Sequence, residues 1–172
     1  MVLPTPRPSW TLRHAGPDDL TAVVDIYNAA IPSRLSTAEP LPVPVAEKRA
    51  WFDAHDPDRR PLMVLEEAGQ IIGWVELKDH YGRRAYAKTA EIGVYLAQDR
   101  LGQGIGRYLV GRMIERCPAL GVTTLLAICF ADNAASVQMF AKLGFERWGF
   151  YPGIAELDGR PRDIVHLGLR LA

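Results

Sequence analysis

Residues 91–113 read EIGVYLAQDRLGQGIGRYLVGRM. The opening EIGVYL carries branched and aromatic side chains suited to a pleated strand. The close, from Arg107 to about Cys117, has the spacing of an amphipathic helix and stops near Pro118 and Gly121. Between them Gly102, Gly104 and Gly106 stand at every second position. A glycine turn entering a helix leaves main-chain N–H groups without partners, and the helix dipole adds positive potential. Such a place suits a phosphate or diphosphate. Arg100 and Arg107 flank it with positive charge, and the competing reading is a tight turn with no ligand. Two named phosphate motifs are excluded by spacing. G-x-G-x-x-G started at Gly102 or Gly104 needs its last glycine at Arg107 or Leu109, and a nucleotide-triphosphate loop needs Gly-Lys-Ser/Thr where Gly106-Arg107-Tyr108 stands.

Outward from this stretch the chain alternates strand and helix patterns. SWTLRHA (9–15) reads as a strand, and GPDDLTAVVDIYNAAI as a helix with acidic residues at its positive end. Pro40, Pro42 and Pro44 bar regular pairing in the loop 32–44, and VAEKRAWFDAHD follows as a second helix. PLMVLEEAGQIIGWVELKD is a hairpin turning at Ala68-Gly69, and TAEIGVYLA (89–97) is the strand before the glycines. Gly93 within it marks an expected bulge. VTTLLAICF (122–130) is apolar throughout, as for a strand covered on both faces. DNAASVQMFAKLGF is a short helix capped by Asp132 or Asn133 and ended at Gly144. ERWGFYP and DIVHLGLRL are the last two strands. The expected order is β-α-α-β-β-β-α-β-α-β-β, an α/β (α+β) domain over residues 9–172 behind a short disordered leader, 1–8.

With 172 residues there is enough chain for one well-cored domain. Lys and Arg number 20 against 20 Asp and Glu, so charge gives no argument for nucleic acid or an anionic membrane surface. No apolar run reaches membrane-spanning length, and the proline-rich MVLPTPRPSW is no secretory signal. The default location is therefore the cytoplasm. Cys117 and Cys129 lie in apolar patterns and read as reduced core residues. His14, His55, His80 and His166 show no metal spacing, so no metal is expected; they read as surface or core residues, with a site-facing position as the alternative for His166 on the last strand.

At this point the chain resembles the GNAT acetyltransferases, whose acetyl-CoA loop has the pattern Q/R-x-x-G-x-G/A. The matching hexad is Leu101-Gly102-Gln103-Gly104-Ile105-Gly106, with Leu101 in place of the polar first residue. IYNAAI, AEIGVYL, NAASVQMFAKLGF and ELDGRPRDIVHLGLRL resemble the phosphinothricin and amino-acid N-acetyltransferase branch. The resemblance implies a mixed central sheet of six to seven strands, splayed between strands four and five and flanked by four helices. It implies acetyl-CoA held by the amides of residues 102–107, by Val94, Tyr95 and Leu96 beside the splay, and by Asn133, Ser136 and Phe140 on the following helix. It also implies a homodimer.

Acetyl transfer to an amine needs a neutral amine, a polarised carbonyl and an exit for the thiolate. Glu91 matches the family base and, set among Ile92, Val94 and aromatic neighbours, is expected in apolar surroundings. The Val94 N–H is the expected donor to the thioester oxygen. Phe140 stands where many members place a proton-donating Tyr and reads as a packing residue. The thiolate is then protonated by water or another group, Tyr95 and Tyr151 being the candidates, or leaves with little help. Asn28, Arg34, Thr37 and Arg162 are the expected acceptor contacts, an Arg clamping a carboxylate or phosphinate. The acceptor so implied is an amino acid or amino-acid-like toxin. The alternatives are another amine (a polyamine, an antibiotic, a protein N-terminus) or an acyl-CoA sensor without catalysis.

Overall fold

The computed structural model describes residues 4–171. Its elements are β1 (Trp10–His14), α1 (Leu20–Ala30), α2 (Val45–Asp53), β2 (Leu62–Glu67), β3 (Gln70–Asp79), β4 (Thr89–Leu96), α3 (Ile105–Arg116), β5 (Thr124–Phe130), α4 (Ala134–Ala141), β6 (Glu146–Leu157) and β7 (Arg160–Arg170). The order of strands and helices is the expected one; some boundaries differ. Helix α3 starts at Ile105, two residues early, because Gly104 caps it in the left-handed region at φ 79°. The last hairpin runs beyond Pro152, with its turn at Asp158 and Gly159, both of positive φ. Pro152 is tolerated there because β6 is an edge strand and its register slips between Tyr151 and Ala155.

The seven strands form one mixed sheet in the order β1-β2-β3-β4-β5-β7-β6. Every neighbouring pair is antiparallel except β4 and β5. These two are parallel and pair only at Thr89–Thr124, Ala90–Leu125 and Glu91–Leu126. Past that point β4 keeps only β3, through Leu96, while β5 keeps only β7, through Phe130. A V-shaped gap opens in the middle of the sheet. The Ala97 amide donates to Ile72 O on β3 at 3.0 Å. Antiparallel alternation then turns the main-chain groups of Tyr95 and Gly93 toward β3, and those of Val94 and Leu96 into the gap. No register shift occurs at Gly93, contrary to the expected bulge. A Cβ there would lie 2.8 Å from Glu76 Oε1 on β3, so the glycine makes room for that side chain.

Alternation also divides the core. On one face Leu77, Val75, Ile92 and Leu125 pack under Leu109, Val110 and Met113 of α3 and Phe140 of α4. On the other, Val64 and Trp74 pack under Val23 and Val24 of α1 and Phe52 of α2. Each fully buried aliphatic contributes about 1.5–3 kcal/mol. The helix entry at α1 is fixed by Asp19, whose Oδ2 accepts from the Gly16 amide at 2.7 Å and whose carboxylate pairs with Arg13. Among the described residues, no helix is long and apolar enough to cross a membrane.

Candidate active site

The gap continues into a cavity of about 970 Å³ that reaches from the glycine turn, past β4 and β5, to the loop after α1. Of the residues expected in the site, Glu91, Val94, Tyr95, Leu96, Leu101, Gly102, Gly104, Gly106, Arg107, Asn133, Ser136, Phe140 and Thr37 line it.

The three glycines answer to different constraints. Gly102 and Gly104 hold φ of 73° and 79°, where a Cβ is strained. Gly106 has ordinary helical geometry, but a Cβ would meet Met139 Sδ at 2.8 Å, so it lets α3 approach α4. Among the described residues, the amides of Gly102, Gln103, Gly104, Ile105 and Gly106 donate to no backbone carbonyl; the first such bond of the helix is Tyr108 N–H to Gly104 O at 3.0 Å. Free main-chain donors at a helix start can receive a diphosphate without side chains, and of these residues Gly102, Gly104 and Gly106 line the cavity. The side chains differ from expectation here. Arg100 turns away to Glu67, at 2.7 Å, and Ile105 is core. Gln103 faces solvent, donating to Asp99 O and accepting from Arg7. The expected leader falls partly outside the described residues, at Met1–Leu3; Pro4 packs 3.6 Å from the site of a Gly104 Cβ.

Asn133 caps α4 by accepting from the Ser136 amide at 3.1 Å, while its Nδ2 donates to Leu35 O at 2.9 Å. It thus ties the loop after α1 to the far side of the gap. Phe140 is buried edge-to-face against Phe145 and carries no proton to donate. Tyr95 stacks on Trp74 and donates its hydroxyl to Ser36 O at 3.0 Å; burial pushes its phenol far above the ordinary value, which makes it a poor acid. Tyr151 lies against His166 and outside the cavity. Burial pushes the Cys129 thiol, which faces the cavity, up to about 12, and the Cys117 thiol likewise. Neither is a thiolate near neutrality.

Glu91, with a side chain 17 % exposed, is not in the apolar setting expected of it. His80 Nδ1 lies 2.9 Å from its Oε1 and Lys78 Nζ lies 3.3 Å from its Oε2. Beside it, burial pushes the His166 imidazole down, with Glu91 opposing and His80 adding to the shift. Three of the expected acceptor contacts lie away from the cavity. Asn28 clasps the loop backbone at Val43 with both amide groups. Arg34 is held bidentate by Asp158; Arg162, over the ring of Phe130, donates Nη2 to both oxygens of Asp132 and Nη1 to Arg34 O. Both arginines are engaged by the protein's own carboxylates and carbonyls, bracing the loop after α1 against β6, β7 and the start of α4. The end of the cavity away from the glycine turn is lined by Tyr27, Thr37, Glu76, Lys78 and Glu91. Tyr27 and Thr37 share a hydroxyl bond of 2.5 Å. Glu76, His80 and Lys78 were missed in the sequence, although a carboxylate inside the buried run Ile72–Leu77 is itself a signal.

The chain matches the acetyltransferase (GNAT) family over residues 22–145. It is 43% identical over 163 residues to YwnH of Bacillus subtilis, provisionally named a phosphinothricin acetyltransferase, covering 94% of this chain and 99% of that one. It is 33% identical over 164 residues to the L-methionine sulfoximine/L-methionine sulfone acetyltransferase of Pseudomonas paraeruginosa, covering 95% of each. A phosphinothricin acetyltransferase of Sinorhizobium meliloti, solved in complex with AcCoA, superposes with a TM-score of 0.89 at 28% identity, covering 95% of this chain and 89% of that one. With the splayed sheet, the open amides and these relatives together, the chain belongs to the acetyltransferase (GNAT) family and is an acetyl-CoA-dependent N-acetyltransferase.

Proposed function

We propose that this protein acetylates the primary amine of an amino acid or amino-acid-like toxin, of the methionine sulfoximine or phosphinothricin type, in the cytoplasm. The observation that carries the reading is the continuity of one cavity from Gly102, Gly104 and Gly106 of the glycine turn, along the unpaired edge of β4, to a polar recess holding Glu91. The names of the relatives supply the acceptor class.

When bound, acetyl-CoA supplies an activated acetyl thioester. The amides of Gly102–Gly106 hold its diphosphate, and the gap-facing groups of Val94 and Leu96 hold its pantetheine arm as a neighbouring strand would. Tyr95, Leu101, Arg107, Asn133, Ser136 and Phe140 wall the same channel. The Val94 N–H polarises the thioester carbonyl. Glu91 takes the ammonium proton, directly or through a water, and His80 and Lys78 fix both its oxygens so that the carboxylate points at the acceptor. Attack is direct, since neither cysteine is a ready nucleophile. The amine nitrogen bonds the acetyl carbon, the carbon–sulfur bond breaks, and the leaving thiolate takes its proton from water, no phenol in the cavity being placed to supply it. The protein acts as a homodimer; exposed Trp148, Phe150, Tyr151 and Ile154 along the edge strand β6 support this.

The test is thiol release from acetyl-CoA against a panel of amino acids, L-methionine sulfoximine, phosphinothricin, polyamines and an N-terminal peptide, beside calorimetric titration with CoA. Turnover is expected on the amino-acid group. Turnover on polyamines or the peptide alone, or tight CoA binding without turnover on any amine, would defeat the reading. Sedimentation as a monomer at micromolar concentration would remove the dimer.

A further inference from the structure

Two carboxylates face the acceptor side of the cavity, and they differ in how their oxygens are used. Both oxygens of Glu91 meet a basic group, His80 or Lys78. In Glu76, whose side chain is 8 % exposed, both hydrogen bonds fall on one oxygen. Oε2 lies 3.1 Å from Trp51 Nε1 and 3.0 Å from His55 Nε2, while Oε1 receives no hydrogen bond among the described residues. Trp51 and His55 pack edge-to-face and hold the side chain from α2 and the turn after it. Glu76 lines the cavity, so this oxygen, which no described protein donor holds, is free to accept from a donor that enters there.

Its position indicates which donor. Glu76 pairs with Gly93 across β3 and β4, and Oε1 sits 2.8 Å from where a Gly93 Cβ would be. Gly93 immediately precedes Val94, whose N–H faces the gap. Glu91 lies two residues along the same face of β4, roughly 7 Å away at strand spacing. Of the two carboxylates, Glu76 is therefore the one that leans over the peptide beside which the acetyl carbonyl is to sit. An amine must come within about 3.5 Å of that carbonyl carbon to react.

We infer that Glu76 is the residue that receives the acceptor's ammonium group, its open Oε1 accepting from the amine, held there while Glu91 takes the proton. The inference rests on the acceptor being an amine, as proposed above. Gly93 is part of the same device, because any side chain there would displace Oε1.

The experiment compares binding of two ligands to the CoA complex by calorimetry: L-methionine sulfone and its counterpart lacking the amino group, 4-(methylsulfonyl)butanoic acid. Wild type should prefer the amine by about tenfold or more, as expected for a charge-assisted hydrogen bond in a buried site. Glu76→Gln should reduce that preference to within about twofold, with CoA affinity unchanged. Gly93→Ala, which leaves the carboxylate in the chain but pushes Oε1 aside, should reduce it in the same direction. In turnover, Glu76→Gln should raise the acceptor KM and leave the acetyl-CoA KM as it was. Equal affinity of the two ligands in wild type, or a preference that survives Glu76→Gln in a folded variant, overturns the inference. Binding of the amine without its acetylation would defeat the proposed function alone, since the affinity comparison still decides the role of Glu76.

Discussion

The cavity has two halves built from different materials. The half we assign to the cofactor is main chain: the glycine turn at Gly102, Gly104 and Gly106 and the unpaired edge of one strand. The acceptor half is side chains gathered from four places, Tyr27 on α1, Thr37 on the following loop, Glu76 and Lys78 on β3, and Glu91 on β4. A main-chain site is insensitive to most substitutions except those that change φ or fill space, which is why glycines mark it. A side-chain site is set by register, here the pairing of Glu76 with Gly93 and of Lys78 with Glu91. On the proposed reading one half fixes what is donated, and the other chooses the recipient.

The two halves should fail separately. The largest effect is expected on the acceptor side: Glu91→Gln should lower kcat about 100-fold, the usual scale for losing a general base. Its acetyl-CoA KM should be unchanged, and an unchanged pH–rate profile would remove Glu91 as the base. On the cofactor side, Gly104→Val puts a branched side chain at φ 79°. The strain of about 1–2 kcal/mol should raise the acetyl-CoA KM roughly tenfold. The acceptor KM should stay constant; a rise in both would mean that the halves are not independent. Tyr27→Phe removes the bond to Thr37 and should raise only the acceptor KM, about fivefold for about 1 kcal/mol.

The smallest effect lies outside both halves. Asp19→Asn should leave all kinetic constants alone and cost about 1 kcal/mol of stability, the Arg13 partner being partly solvated. The Arg13 hydrogen bond holds the Asp19 carboxyl below its ordinary value. Its contribution is therefore complete above about pH 4 and fades as pH falls through the depressed value. Wild-type and variant melting temperatures should converge in acid. A gap that widens there would contradict the assignment.

The division between the halves also explains what could be read from the sequence. The order of elements and the glycine turn were legible because hydrophobic period and glycine spacing are local signals. The end of β6 was not, since Pro152 ordinarily breaks a strand and only an edge position excuses it. Gly93 reads as a bulge in the sequence because the side chain that requires it, Glu76, comes from another strand. Arg34 and Arg162 looked like anion clamps, but Asp158 and Asp132 already occupy them, and no local pattern reveals a partner 124 or 30 residues away. His55 and His80 lacked metal spacing and so carried no signal. Their role lies in carboxylates they meet only in the fold.

The most direct measurement is residue-resolved amide hydrogen exchange with and without acetyl-CoA. The amides of Gly102–Gly106, with those of Val94 and Leu96, should exchange markedly more slowly in the complex. Those of Gly93 and Tyr95, already bonded to β3, should change little. Saturating acetyl-CoA that leaves the Gly102–Gly106 amides exchanging as fast as in the free protein would contradict the claim that main-chain donors at the helix entrance hold the diphosphate.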